Sequence, residues 1–116
     1  MVMAQSVDAI AFTGDLVNNV AEEMTPWISA FQKIKAPFGV FSILGNHDYY
    51  GQPRDSAFRP AYYEDFFMKY DAMGWDLLRN EHRIIRKDGS HLILAGVENW
   101  GEGKYFPKRG DLGATL

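Results

Sequence analysis

Two short stretches of the chain carry side chains that could do chemistry. The first is Thr13-Gly14-Asp15-Leu16-Val17-Asn18; the second, Leu44-Gly45-Asn46-His47-Asp48, places Asn46 31 residues after Asp15. The Asp15 carboxylate and the Asn46 amide oxygen are hard donors of the kind that suits magnesium, manganese, iron or zinc in a hydrolytic site. A carboxylate can also bridge two cations about 3.5–4 Å apart, clamping the attacking and leaving oxygens of a phosphate ester. The imidazole of His47, whose unperturbed pKa lies near neutrality, could donate a proton to the leaving alcohol. Taken singly, Gly14-Asp15 and Gly45-Asn46 are ordinary turn dipeptides. Taken together, each at the end of an apolar run and with His47 beside one of them, they point to a metal-assisted hydrolytic centre.

Such a centre requires elements that bring the two stretches to one place. The run Val7 to Phe12 is short and apolar, as expected of a buried strand, and Phe38 to Leu44 is apolar throughout most of its length, as in a parallel sheet covered on both faces. Between them the sequence predicts a helix with Thr25 as N-cap, Pro26 at the first helical position, Trp27, Ala30, Phe31 and Ile34 on one face, and Pro37 as its stop. Strand, helix and strand make a βαβ unit with parallel strands, so Asp15 and Asn46 should emerge at the same carboxyl edge, where open α/β sheets bind ligands. Downstream, Tyr49 to Arg59 reads as a loop. Pro60 opens a second helix, with Tyr63, Phe66, Phe67 and Tyr70 as its core stripe and Gly74 as its end. Leu77-Leu78 suggests a short third strand. The runs Arg83 to Arg86 and His91 to Val97, joined through Asp88-Gly89, predict a hairpin. From Glu98 onward no periodicity is visible, and residues 97–116 are expected to be loop or tail. Glu22 and Glu23 read as a solvated loop or helix start, and His82 and His91 as plain strand or surface residues. Glu98 and Asn99 follow a strand end from which they could approach the site.

The bulk properties exclude several classes. The chain has 116 residues, the size of one small domain, and 47% hydrophobic with 15% aromatic residues mark it as globular. A net charge of −3 gives no basic footprint for nucleic acid. There is no cysteine, so disulfides, thiolate metal sites and a cysteine nucleophile are excluded. No apolar run approaches the ~20 residues that span a bilayer. The opening Met1-Val2-Met3-Ala4-Gln5 lacks the pattern of a signal peptide. Localisation stays open.

The two stretches also carry a resemblance. Asp8-Ala9-Ile10-Ala11-Phe12-Thr13-Gly14-Asp15-Leu16-Val17-Asn18, followed by Ser42-Ile43-Leu44-Gly45-Asn46-His47-Asp48, resembles the second and third signature blocks of the calcineurin-like metallophosphoesterases, and Leu92-Ile93-Leu94-Ala95-Gly96-Val97 is similar to the strand that follows them. The resemblance implies a di-metal phosphoesterase built as an αββα sandwich of two sheets. It implies Asp15 as the bridging carboxylate, Asn46 as a ligand of the second metal and His47 facing the leaving group or the phosphate. Asn18 matches the position that orients this histidine, an aspartate in many members; an amide oxygen can still accept a hydrogen bond but brings no full charge.

Departures from the family pattern shape the expectation further. No aspartate has a histidine two places later, no Gly-His-x-His block follows, and the chain has only three histidines, none after His91. Two of the expected metal ligands are present, whereas a catalytic metal generally needs about three. The expected α/β fold is therefore a partial αββα sandwich, with βαβ units and a terminal hairpin, forming one incomplete domain over residues 1–116. The expected function is that of a fragment: the intact parent would hydrolyse phosphomonoesters or phosphodiesters with water activated by divalent metal (manganese, iron, zinc or magnesium), and metal binding would be weak or absent in this chain alone, which should show little or no turnover. The rival expectation is a non-catalytic association module, or a piece of this fold that forms homo-oligomers through exposed sheet faces and edges.

Overall fold

The computed structural model describes residues 6–101 and 108–116. Three short strands, β1 (Ile10–Phe12), β2 (Val40–Ser42) and β3 (Asp76–Leu77), lie in the order β1-β2-β3 and all run parallel. Ile10 pairs with Val40 and Phe12 with Ser42. This in-step register ends β1 and β2 at the same level, so the loops that leave them start side by side. All three β2 residues are buried, as a central parallel strand demands.

The connection from β1 to β2 departs from the expected helix. A 3-10 helix spans Ala21–Trp27 with Val20 as its N-cap, and it runs into a single α-turn, α1 (Ile28–Phe31). Thr25 and Pro26 lie inside the 3-10 segment rather than at its start. The face turned to the core is Ala21, Met24, Ile28, Phe31 and Ile34, whereas Trp27 and Ala30 are exposed. The physical cause is the start position: beginning five residues earlier rotates the stripe and puts Pro26 at a place where a regular α-helix cannot run through.

The second helix, α2 (Arg59–Met73), follows expectation. It has Pro in its first turn, Gly74 closes it with φ 78, and Tyr63, Phe66, Tyr70 and Met73 are buried at 3-4-3 spacing. Burying an apolar side chain of this size stabilises by about 1.5–3 kcal/mol. Trp75, just past the cap, packs its ring against Phe12, Phe31 and Tyr70 and so ties α1, α2 and β1 together.

Beyond β3 the strands β4 (Glu81–Lys87) and β5 (Ser90–Gly96) form an antiparallel hairpin, in register from Glu81↔Gly96 to Lys87↔Ser90. Its turn places Asp88 and Gly89 at φ 51 and 80, the left-handed pair that the Asp-Gly sequence foretold. The hairpin base sits against the parallel sheet: a Cβ on Gly96 would lie 2.3 Å from Leu78 Cβ. A mixed fold with a parallel sheet and an antiparallel hairpin is what the sequence predicted for a partial sandwich. Of residues 97–116, expected as loop or tail, 102–107 lie outside the described residues. The rest includes a short helix, α3 (Leu112–Thr115), capped by Asp111 and docked on His82, whose Nδ1 lies 2.6 Å from the Thr115 carbonyl oxygen.

Candidate active site

The loop after β1 turns sharply, because Gly14 and Asp15 take positive φ values of 100 and 58 in succession. Asp is among the few side chains that tolerate this region, and such strain clusters at functional sites. The loop after β2 passes so close that a Cβ on Gly14 would fall 2.3 Å from the Gly45 nitrogen, and one on Gly45 would fall 2.2 Å from Asp15 Oδ1. Both positions therefore require glycine for space. What looked in sequence like two separate turn dipeptides is one interlocked structure.

Four contacts define its chemistry. The His47 main-chain N–H donates to Asp15 Oδ1 at 3.0 Å. Asn46, between Gly45 and His47, donates from Nδ2 to the Tyr50 hydroxyl at 2.6 Å, which leaves its amide oxygen as its remaining acceptor. His47 Nδ1 lies 2.8 Å from the main-chain carbonyl oxygen of Asn18. The His47 ring also rests on Tyr50, with centroids 4.6 Å apart. The structure thus brings Asp15, Asn18, Asn46 and His47 to one rim of the sheet. It differs from expectation in how residue 18 meets His47: the contact uses the main chain, and the Asn18 side chain makes no hydrogen bond among the described residues.

Two carboxylates that the sequence reading gave no role hold this arrangement. Asp48 is fully buried and accepts from four main-chain N–H groups: Asp15 at 2.8 Å, Leu16 at 3.0 Å, Val17 at 3.3 Å and Gly45 at 2.8 Å. One side chain therefore fastens both loops. Burial raises the Asp48 pKa from its ordinary value, against the opposing pull of the N–H donors from Gly45, Val17 and Asp15. Glu23 accepts from Asn18, Asn19 and Val20 N–H at 2.7, 2.9 and 3.0 Å, and these bonds lower its pKa. The signal for Glu23 was obscured because it closes half a capping box: it is the third helical residue, but the N-cap is Val20, which has no hydroxyl to complete the signature. Asp48 had no signal in spacing at all. Tyr50, which holds both Asn46 and His47, lies within the predicted loop, where no periodicity marks it.

Glu98 is buried, but it belongs to a different cluster. It accepts from the Tyr49 hydroxyl at 2.9 Å, from Arg79 Nε at 3.3 Å and from Asn80 Nδ2 at 3.2 Å. Its task is to dock the segment after β5 behind the site loop. His91 is exposed on the hairpin.

Beside the rim lies a cavity of about 480 Å³ lined by Asp15, Asn18, Glu23, Met24, Trp27 and Phe31, among others. As a cation site the donor set is partial. The Asp15 carboxylate and the Asn46 amide oxygen fit a hard divalent ion in type. No group of three or more His, Cys, Asp or Glu side chains able to hold a metal occurs among the described residues. Asp48 is no substitute, since its oxygens are taken by the main chain.

The sequence model of a family described as calcineurin-like phosphoesterase matches residues 2–112. Among curated proteins, the chain is 26% identical over 98 residues to "Uncharacterized metallophosphoesterase YkoQ" of Bacillus subtilis, covering 83% of this chain and 34% of that protein. It is 30% identical over 95 residues to "Uncharacterized metallophosphoesterase YkuE" of the same organism, covering 79% of this chain and 30% of that protein. A third, "Uncharacterized metallophosphoesterase Cj0846" of Campylobacter jejuni, is 35% identical over 46 residues, 40% of this chain and 12% of that protein. The chain spans about a third of the length of the two Bacillus relatives. No solved structure matches it at a significant level.

Proposed function

The chain belongs to the calcineurin-like phosphoesterase family, and from that premise we propose that its paired loops form one half of a di-metal centre that hydrolyses phosphate esters. Family membership implies divalent metal and a phosphate-ester substrate in general terms. In the finer reading, Asp15 is the bridging carboxylate, Asn46 holds the second metal through its amide oxygen, and His47 faces the phosphate or the leaving alcohol. When bound, divalent cations (manganese, iron, zinc or magnesium) activate water and neutralise the charge of the phosphate. The chain's own contribution is orientation. Asp15 Oδ1 is fixed by the His47 N–H, Asn46 is aimed by Tyr50, and His47 is held through Nδ1 so that Nε2 is its remaining nitrogen.

The observation that supports this reading is the 3.0 Å bond from His47 N–H to the Asp15 carboxylate, which joins the two loops directly. Two oxygen donors fall short of the usual three or so, so in this proposal further ligands come from outside the chain and the chain alone turns over little or no substrate. The test is hydrolysis of an aryl phosphate with manganese by three proteins: this chain, the protein extended in both directions along its gene, and the extended protein with Asp15→Ala. The extended protein should be active, and Asp15→Ala should lose more than the roughly 100-fold that an outer partner of a metal ligand can cost. Full activity in the Asp15→Ala protein would overturn the bridging assignment.

A second reading, a non-catalytic module that associates with itself, draws support from the hairpin, where Ile84, Leu92 and Ile93 are all exposed. Ile84 and Ile93 pair on one face and Leu92 lies on the other, and exposed apolar side chains on a strand pair favour oligomers. Sedimentation of the chain across a concentration series tests it: a monomer at every concentration would rule this reading out.

A further inference from the structure

Residue 18 poses a question for any account of His47. An asparagine side chain cannot supply the charge that an aspartate would, and here it does not reach the imidazole; the main-chain carbonyl does, at 2.8 Å. A main-chain acceptor is only as well placed as the peptide that carries it. Residues 18–20 lie in an exposed loop with no regular secondary structure, so local bonding must fix that peptide.

The fixing group is Glu23. Its two carboxylate oxygens take all three successive N–H groups of Asn18, Asn19 and Val20, at 2.7, 2.9 and 3.0 Å. Hydrogen bonds to an ionised acceptor are the strong ones. Glu23 is itself held on the first turn of the 3-10 helix, whose neighbours Ala21 and Met24 are buried in the core. A continuous path therefore runs from the core through Glu23 and the 18–20 main chain to the His47 ring.

We propose that Glu23 is the positioning residue for His47, acting through the main-chain carbonyl of Asn18, so that the side chain at position 18 is dispensable for this purpose. Its consequence for catalysis rests on the reading of His47 given above, but the geometry does not. An acceptor at Nδ1 holds the proton on that nitrogen and leaves Nε2 with its lone pair, the reverse of the tautomer that free imidazole of histidine prefers.

The test reads the His47 tautomer by nitrogen-15 NMR of the ring in the full 116-residue chain, above the pH where the ring titrates, with neither metal nor substrate. The Nδ1–H form should dominate in the unaltered chain and in Asn18→Ala. In Glu23→Ala it should fall to the minority, and amide exchange at residues 18–20 should speed up about tenfold or more, as expected for loss of bonds to a charged acceptor. Unchanged hairpin resonances show that the variant is folded; if Glu23→Ala fails that check, Glu23→Gln, which keeps one acceptor oxygen, is scored by the same tautomer ratio. A tautomer that moves in Asn18→Ala, or stays in a folded Glu23 variant, overturns the proposal. Because no turnover is measured, failure here and failure of the phosphoesterase reading are separate results.

Discussion

The two site loops and the β4–β5 hairpin are held in opposite ways. In the loops, main-chain N–H groups converge on carboxylates distant in sequence: Asp48 reaches back to residues 15–17, more than 30 positions away. In the hairpin, order is local, set by an antiparallel ladder and a left-handed Asp-Gly turn, and Ile84, Leu92 and Ile93 are exposed. A loop can present side chains to a reaction only if something other than its own backbone ladder makes it rigid, and here the rigidity comes from buried or ionised acceptors. The hairpin needs no such device. The difference says where substitutions should hurt.

The largest effect should come from Asp48. Replacing it with Ala removes the acceptor of four N–H groups at once, among them that of the buried Val17. Stranding buried donors and emptying a buried charged position costs on the order of 3–5 kcal/mol. Urea unfolding should show that loss, and a loss below about 1 kcal/mol would mean that the two loops are held by something else. Asp48→Asn should fall between, since one oxygen survives.

Gly14→Ala comes next. The added Cβ would meet the Gly45 main chain at 2.3 Å in a residue with φ 100, so neither rotamer change nor side-chain movement relieves it. Overpacking together with a disallowed dihedral should cost about 2–3 kcal/mol. The informative readout is local: resonances of Asp15 and His47 should shift while those of the hairpin stay.

These two positions show what was legible in the sequence. The parallel strands, α2 with its Tyr63-Phe66-Tyr70 stripe and its Gly74 cap, and the Asp-Gly hairpin were all readable, because each rests on periodicity or turn chemistry within a few residues. The meeting of Asp15 with the loop carrying Asn46 and His47 was readable too, because parallel strands of equal register must end at one edge. The start of the 3-10 helix was not. Thr25-Pro26 imitates a helix opening, and the real one at Val20 lacks a capping hydroxyl. Nor were the roles of Asp48 and Glu23, since their partners are main-chain groups, which leave no mark in a sequence. The contact of residue 18 with His47 through its main-chain carbonyl was hidden for the same reason.

Acid provides a smaller and more selective probe. The Glu23 carboxyl is held below its ordinary value of 4.5, chiefly by the Asn18 and Val20 N–H bonds. A group with a lowered folded pKa gives its full stabilisation above the unfolded value and loses it as pH falls through the folded one. Amide exchange at residues 18–20 should therefore be fully protected above pH 4.5 and lose that protection only as the pH falls further, through the lowered folded pKa of Glu23. The hairpin amides, which bond to one another and not to a carboxylate, should keep their protection through the same window. Parallel loss in both regions would show global unfolding instead and would remove Glu23 from the account.

The smallest effect should come from the hairpin itself. Ile93 pairs with Ile84 across the strands, and the two are 53% and 47% exposed. Ile93→Thr keeps a β-branched side chain on the ladder and replaces an outward ethyl group with a hydroxyl, so in a free monomer stability should change by no more than about 0.5 kcal/mol. The value of this substitution lies in what a larger number would mean. A surface that water already covers has little to lose. A cost of about 2 kcal/mol that appears only at high protein concentration would show that this face is buried against a second copy. Sedimentation on the same samples would then show a dimer weakened by Thr, and the contrast between a fastened site and a bare hairpin would hold for the isolated chain alone.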